Sequence, residues 1–198
     1  ASDLLVDNGQ PWDDITTVLK HAQEAQADRD TARAYTFYVR ATELDANNAE
    51  AWAGRGATTP ELDDEVVSWG YALALAPDSI QAKIRLEQAV SDKIEDSQSS
   101  DAAKLFALAR ELGEAGQKES AYRLAARATD LDDTREEYWI WRAGLTSDLK
   151  EMISALNQAL ALNPQNAQAQ AGLQWAFAQQ AQTAPVVTNL VPATNALP

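Results

Sequence analysis

Ala72-Leu73-Ala74-Leu75-Ala76-Pro77 returns 87 residues later as Ala159-Leu160-Ala161-Leu162-Asn163-Pro164. The same offset pairs Arg40-Ala41-Thr42-Glu43-Leu44-Asp45 with Arg127-Ala128-Thr129-Asp130-Leu131-Asp132, and Ala34-Tyr35 with Ala121-Tyr122. It also pairs Trp52 with Trp139, Arg55 with Arg142, Thr59 with Thr146 and Leu62 with Leu149. Positions 11–90 align with 98–177 without a gap and share 24 identities in 80 pairs. Chance in so alanine-rich a chain gives roughly 6 or 7, the kind of excess by which a repeat is judged. The chain is therefore read as a duplication.

Within each copy, apolar residues recur at helical spacing between start and stop signals. The expected helices are 12–27, 31–45, 49–57, 61–76 and 79–95, then 100–113, 118–131, 135–144, 148–162 and 166–182. Asn47-x-x-Glu50, Thr134-x-x-Glu137 and Asp78-x-x-Gln81 have capping-box spacing or a near variant. Thr59-Pro60 predicts a cap followed by proline at the first helical position. Pro77 and Pro164 stop the helices before them.

These units resemble tetratricopeptide repeats, in which antiparallel helix pairs stack into a solenoid. The resemblance rests on Trp52 and Gly56 leading to Ala72-Leu73-x-Leu75-x-Pro77, and on Trp139 and Ala143 leading to Ala159-Leu160-x-Leu162-x-Pro164. Ala34-x-x-x-Tyr38-x-x-Ala41-x-x-Leu44 and its copy Ala121-x-x-x-Ala125-x-x-Ala128-x-x-Leu131 resemble second helices without the closing proline. Arg55 and Arg142 stand at the usual leucine position. The expected fold is an all-α antiparallel helix-pair solenoid of about ten helices in two duplicated halves, with an extended C-terminal tail. Its parts are an N-terminal extension (1–10), a first module (11–97), a second module (98–182) and the tail (183–198). The resemblance implies a non-catalytic protein-binding scaffold.

Composition agrees. With 45% hydrophobic and 23% charged residues, the 198-residue chain has ordinary globular usage. A net charge of −14 repels phosphate backbones, so nucleic acid is not an expected partner. The longest apolar run, Val66 to Ala76, is too short to span a bilayer. There is no cysteine, so thiol chemistry and cysteine metal sites are excluded. No cofactor is expected. The sequence begins at Ala1 rather than Met, and the expectation leans toward an exported, processed chain over a cytoplasmic one.

No residue set reads as a reaction centre. His21 is the single histidine, and a triad or histidine metal site would rest on it alone. Asp13-Asp14, Asp63-Asp64 and Asp132-Asp133 fall at expected helix starts, where carboxylates satisfy free N–H groups. The chain is read as not an enzyme.

The candidate protein-binding residues fall in three groups. Arg55 and Arg142 survive the duplication and either clamp a partner's carboxylates from the groove or pair with acids on neighbouring helices. Trp12, Trp175 and Phe177 make both ends more aromatic than the internal junction they correspond to; these rings either pack under the terminal turns or make the ends adhesive. Val186, Val187, Leu190 and Val191 lie in an uncharged tail with three prolines, expected to dock on its own chain or on a neighbour. The favoured mode is head-to-tail association with other copies into a fibre or ring. The alternative is an adaptor holding a partner's peptide or helix in the concave groove.

Overall fold

The computed structural model describes residues 12–95 and 101–183. Ten helices make up the described residues: α1 (Ile15–Ala27), α2 (Thr31–Leu44), α3 (Ala49–Thr58), α4 (Leu62–Leu75), α5 (Ile80–Glu95), α6 (Ala102–Glu114), α7 (Lys118–Leu131), α8 (Glu136–Leu145), α9 (Leu149–Leu162) and α10 (Ala167–Thr183). Every helix of the second half starts 87 residues after its counterpart in the first. The duplication is thus kept in register at every turn. The fold is an all-α helix-pair solenoid.

Short polar side chains start the helices. Asp14, Asp30, Asn48, Asp101 and Asp148 each accept backbone N–H groups of the first turn. The expected caps are off by one residue in places. Asn48, not Asn47, caps α3. Ser79, not Asp78, bonds the Ala82 N–H. Thr134 turns to Asp132 instead of capping α8. Thr59 and Pro60 precede the N-cap Glu61 of α4, because the Thr59 hydroxyl accepts the Glu61 N–H and forms a turn before the helix begins. The α1–α2 and α6–α7 turns each use one left-handed residue, Arg29 (φ 61°) and its counterpart Gly116 (φ 81°).

Consecutive helices pack on one another within each half. Across the junction the order changes: α6 lies on α4 and α7 lies on α5. The largest buried cluster spans this junction, joining Trp69, Leu86 and Val90 to Leu105, Leu112 and Leu124. A Cβ on Gly70 would lie 2.4 Å from Leu112 Cδ2, so α4 and α6 meet knob against bare backbone. Smaller cores hold α1–α3 and α8–α10. The halves stack as one solenoid, with the internal junction as its best-filled layer.

The halves also exchange bulk. Gly54 leaves room for the Tyr38 ring, where a Cβ would come within 2.1 Å. Their counterparts are Trp141 and Ala125: the large residue has moved to the other helix. Gly56 makes room for Trp69, and their counterparts are Ala143 and Leu156. In each contact a bulky residue faces a small one, although the identities differ between the halves, as close packing requires.

Candidate functional site

Three surfaces hold the residues singled out from the sequence. The first is a duplicated arginine cluster. Arg55, on α3, donates from Nε to Asp64 Oδ2 at 3.2 Å and also bonds Asp64 Oδ1. The Tyr35 hydroxyl donates to the same carboxylate at 3.0 Å, and the guanidinium lies 5.3 Å over Trp52. Arg142 repeats the arrangement. It bonds Thr129 Oγ1 at 2.9 Å, faces Glu151 at 3.6 Å and stacks over Tyr122 and Trp139. The Tyr122 hydroxyl donates to Glu151 at 3.1 Å. Trp52 and Trp139 each donate their indole N–H to a loop carbonyl, of Ala46 and Asp133. Both arginines are therefore occupied by their own chain. Of the two roles weighed for them, the geometry displays pairing with a neighbouring helix. Burial first, and the Asp64 carboxylate next, hold the Tyr35 hydroxyl above the usual phenol range.

The carboxylate pairs are similarly engaged. Asp13 pairs with Arg40 at 2.7 Å, Asp63 with Lys93, and Asp132 with Thr134. His21 stacks against Trp12 and Phe37 and contacts Glu24 at 3.1 Å. Among the described residues no three His, Cys, Asp or Glu side chains group to hold a metal ion. No helix of the described residues is long and apolar enough to cross a membrane.

The second surface is a groove of about 660 Å³ beside the junction, between α5 and the start of α7. Lys83, Lys118 and Arg123 line it with Glu87 and Glu119. Arg123 crosses it to donate to Ser91 Oγ at 2.9 Å. This groove was not anticipated from the sequence, since it forms only where α7 lies on α5.

The third surface comprises the two ends, and they differ. At the N-terminal end Trp12 is half-buried, stacked 5.4 Å from Phe37 and tilted against His21 at 5.5 Å. Its carbonyl accepts Arg40 Nε at 3.3 Å. Trp12 thus lies over α2, covering a layer that has no helix pair beyond it among the described residues. At the C-terminal end no such cover exists among the described residues. Val90, on the flank of α5 turned to α7, is 0% exposed. Its counterpart on α10, Phe177, is 52% exposed. Trp175 is also exposed, on the opposite flank of α10. Ile80 and Ile84, one turn apart on α5, form a further exposed aliphatic strip.

The C-terminal end has one more property, legible in the sequence but missed there. No Asp, Glu, Lys, Arg or His occurs after Glu151. The last charge precedes most of α9, so the whole of α10 is free of ionisable side chains. The tail residues Val186, Val187, Leu190 and Val191 lie outside the described residues.

No family model matches the chain, and no curated protein matches it. Its fold is similar to solved structures. The Arabidopsis OM64 TPR domain is 15% identical, over 82% of this chain and 93% of that one, with a TM-score of 0.31. YrrB, described as a TPR protein with an unusual peptide-binding site, is 16% identical over 82% and 93%, with a TM-score of 0.38. The MamA protein is 15% identical over 84% and 82%, with a TM-score of 0.42.

Proposed function

We propose that this tetratricopeptide-like solenoid is a non-catalytic protein–protein interaction scaffold that docks its partner on an end of the stack. Its favoured partner is another copy of the same chain. The observation that carries this is the inequality of equivalent positions. Val90 and Phe177 occupy one site of the repeat; the first is sealed under α7 and the second presents an aromatic ring to solvent. Among the described residues the stack closes on the surface it uses internally for docking, a surface suited to docking again. The absence of charge on α10 supports self-association in particular. Two copies at −14 each approach most cheaply where no carboxylates face each other.

The test is sedimentation velocity over a wide concentration range, for the natural chain and for Phe177→Asp. Reversible association in the first and its loss in the second is the expected pair of results. A single monomeric species for both, at every concentration, overturns self-association.

The groove between α5 and α7 favours a second reading, an adaptor for a partner segment. Arg55 and Arg142 are bound internally, so its cationic contacts are Lys83, Lys118 and Arg123, and the segment it fits carries carboxylates. Calorimetric titration with an oligoglutamate peptide tests it. Heat of binding that vanishes in Lys83→Ala with Lys118→Ala supports the adaptor, and no heat with the natural chain removes it.

A further inference from the structure

The exposed Ile80–Ile84 strip is flanked on α5 by Lys83, Arg85 and Glu87, which leaves two surfaces by which a second copy reaches α10, its α1–α2 end or its own α10. The internal junction shows what an α1–α2 contact requires. There α6 and α7 present Leu108, Leu112 and Leu124 to α4 and α5. The counterparts on α1 and α2 are His21, Ala25 and Phe37. Phe37 is buried although no helix pair lies beyond it among the described residues, because Trp12 is stacked on it. Asp13 and the Trp12 carbonyl are both tied to Arg40, which holds that cover in place. The knob and its hole are gone as well: Leu112 on Gly70 becomes Ala25 opposite Asn157. Head-to-tail docking would have to displace Trp12 and would find no matching relief beneath it.

Among the described residues nothing lies over the outer face of α10, where Phe177 is exposed and Leu173 is half-buried against the α8–α10 core. Gln170, Leu173, Gln174 and Phe177 recur at spacings of three and four residues, so they form one stripe along the helix. They are the counterparts of Lys83, Leu86, Glu87 and Val90, the α5 flank that meets α7. The charged members of that flank have become glutamines. A molecule with one adhesive patch for itself can join two copies only by setting that patch against the same patch, which makes a two-fold axis.

We propose that two copies pair through α10 about a two-fold axis, with Leu173 and Phe177 of one chain against Leu173 and Phe177 of the other. The pairing closes, so the assembly is a dimer and not a fibre or ring. This inference rests on the reading that a solenoid end docks another copy. The helix is roughly 25 Å long. One helix-wide face of that length is no larger than the smallest specific interfaces, so the pairing is expected to be weak and concentration-dependent.

The chain has no cysteine, so single cysteines report contacts without background. Gln170→Cys, Gln174→Cys and Ala178→Cys place exposed thiols one turn apart along α10. In a two-fold pair at least one of them meets its own copy and is joined by a short bismaleimide. The control mixes Gln174→Cys with Arg33→Cys. Their counterparts, Glu87 and Ser120, line the same junction groove, so a head-to-tail contact joins those two.

The expected result is a covalent homodimer from at least one α10 variant, no mixed product, and sedimentation that stops at dimer. A mixed product, or growth past dimer without α10 homodimers, overturns the two-fold pairing while leaving self-association standing. A monomer throughout removes both.

Discussion

Gly54→Ala should change sign depending on what stands at position 38. Gly54 sits inside α3, where alanine favours the helix by about 1 kcal/mol over glycine. The added methyl, however, would lie 2.1–2.4 Å from three atoms of the Tyr38 ring. That ring is 3% exposed, and its hydroxyl donates to Gln26 at 2.9 Å. It cannot retreat by the required ångström without disturbing the packing of α1 on α2 and breaking that hydrogen bond. Overpacking costs about 1–3 kcal/mol and the hydrogen bond about 1. The net loss is about 1–3 kcal/mol, or roughly 2–12 °C in Tm for a chain of this size. In a Tyr38→Ala background the obstruction is gone and only the helical preference remains. There Gly54→Ala should raise Tm by roughly 2–4 °C. Thermal melts of the four proteins followed by circular dichroism give the answer, with a coupling of about 2–4 kcal/mol. Gly54→Ala acting with the same sign in both backgrounds would refute the packing argument.

Other consequences follow from the same geometry. Arg55→Ala strands Asp64, whose side chain is only 15% exposed, and should cost about 1–3 kcal/mol; Arg142→Ala faces Glu151 at 49% exposure and should cost about 0–1, so denaturant midpoints should rank them in that order. Arg29 holds a left-handed backbone that its counterpart fills with glycine, so Arg29→Gly should stabilise by about 0.5–1 kcal/mol, seen as a raised Tm. Burial, and then the charge of Glu114, push the Glu111 carboxyl above its ordinary range. A raised carboxyl destabilises the fold when ionised; that penalty is absent below the ordinary value of 4.5 and develops as pH rises through the folded value. Glu111→Gln should therefore melt higher than the natural chain at pH 7 and lose that advantage by pH 4.

Much of the fold was legible because the duplication wrote it twice. The register at Ala72–Pro77 and Ala159–Pro164 places ten helices, since a start or stop signal weak in one copy is repeated in the other. Individual caps were less legible. Asn47 and Asn48 are equally good cap residues on paper, and only the path of the chain into α3 selects Asn48. The exchange of Tyr38 and Gly54 for Ala125 and Trp141 is invisible to a comparison of identities, because what is kept is a bulky residue facing a small one and not residue type.

The candidate site was read less completely. Arg55 and Arg142 were found by their recurrence, yet recurrence cannot separate a ligand clamp from an internal pair. Their partners Asp64 and Glu151 differ in identity and share only charge. Trp12 and Phe177 were both noted as extra aromatics at the ends. Their fates diverge because Trp12 meets Phe37 and His21, whereas Phe177 stands on a flank that no described residue covers. The charge-free run after Glu151 was there to be counted, and its weight became plain only once it was seen to cover a whole terminal helix.

The C-terminal end is proposed as the place where this scaffold docks. Hydrogen exchange on the natural chain, compared at about 1 μM and at several hundred μM, tests it most directly, because a weak association fills only at the higher concentration. Residues 167–183 should exchange more slowly at the higher concentration while α1 and α2 are unchanged. Exchange in α10 that is indifferent to concentration, or slowing confined to α1 and α2, would contradict it.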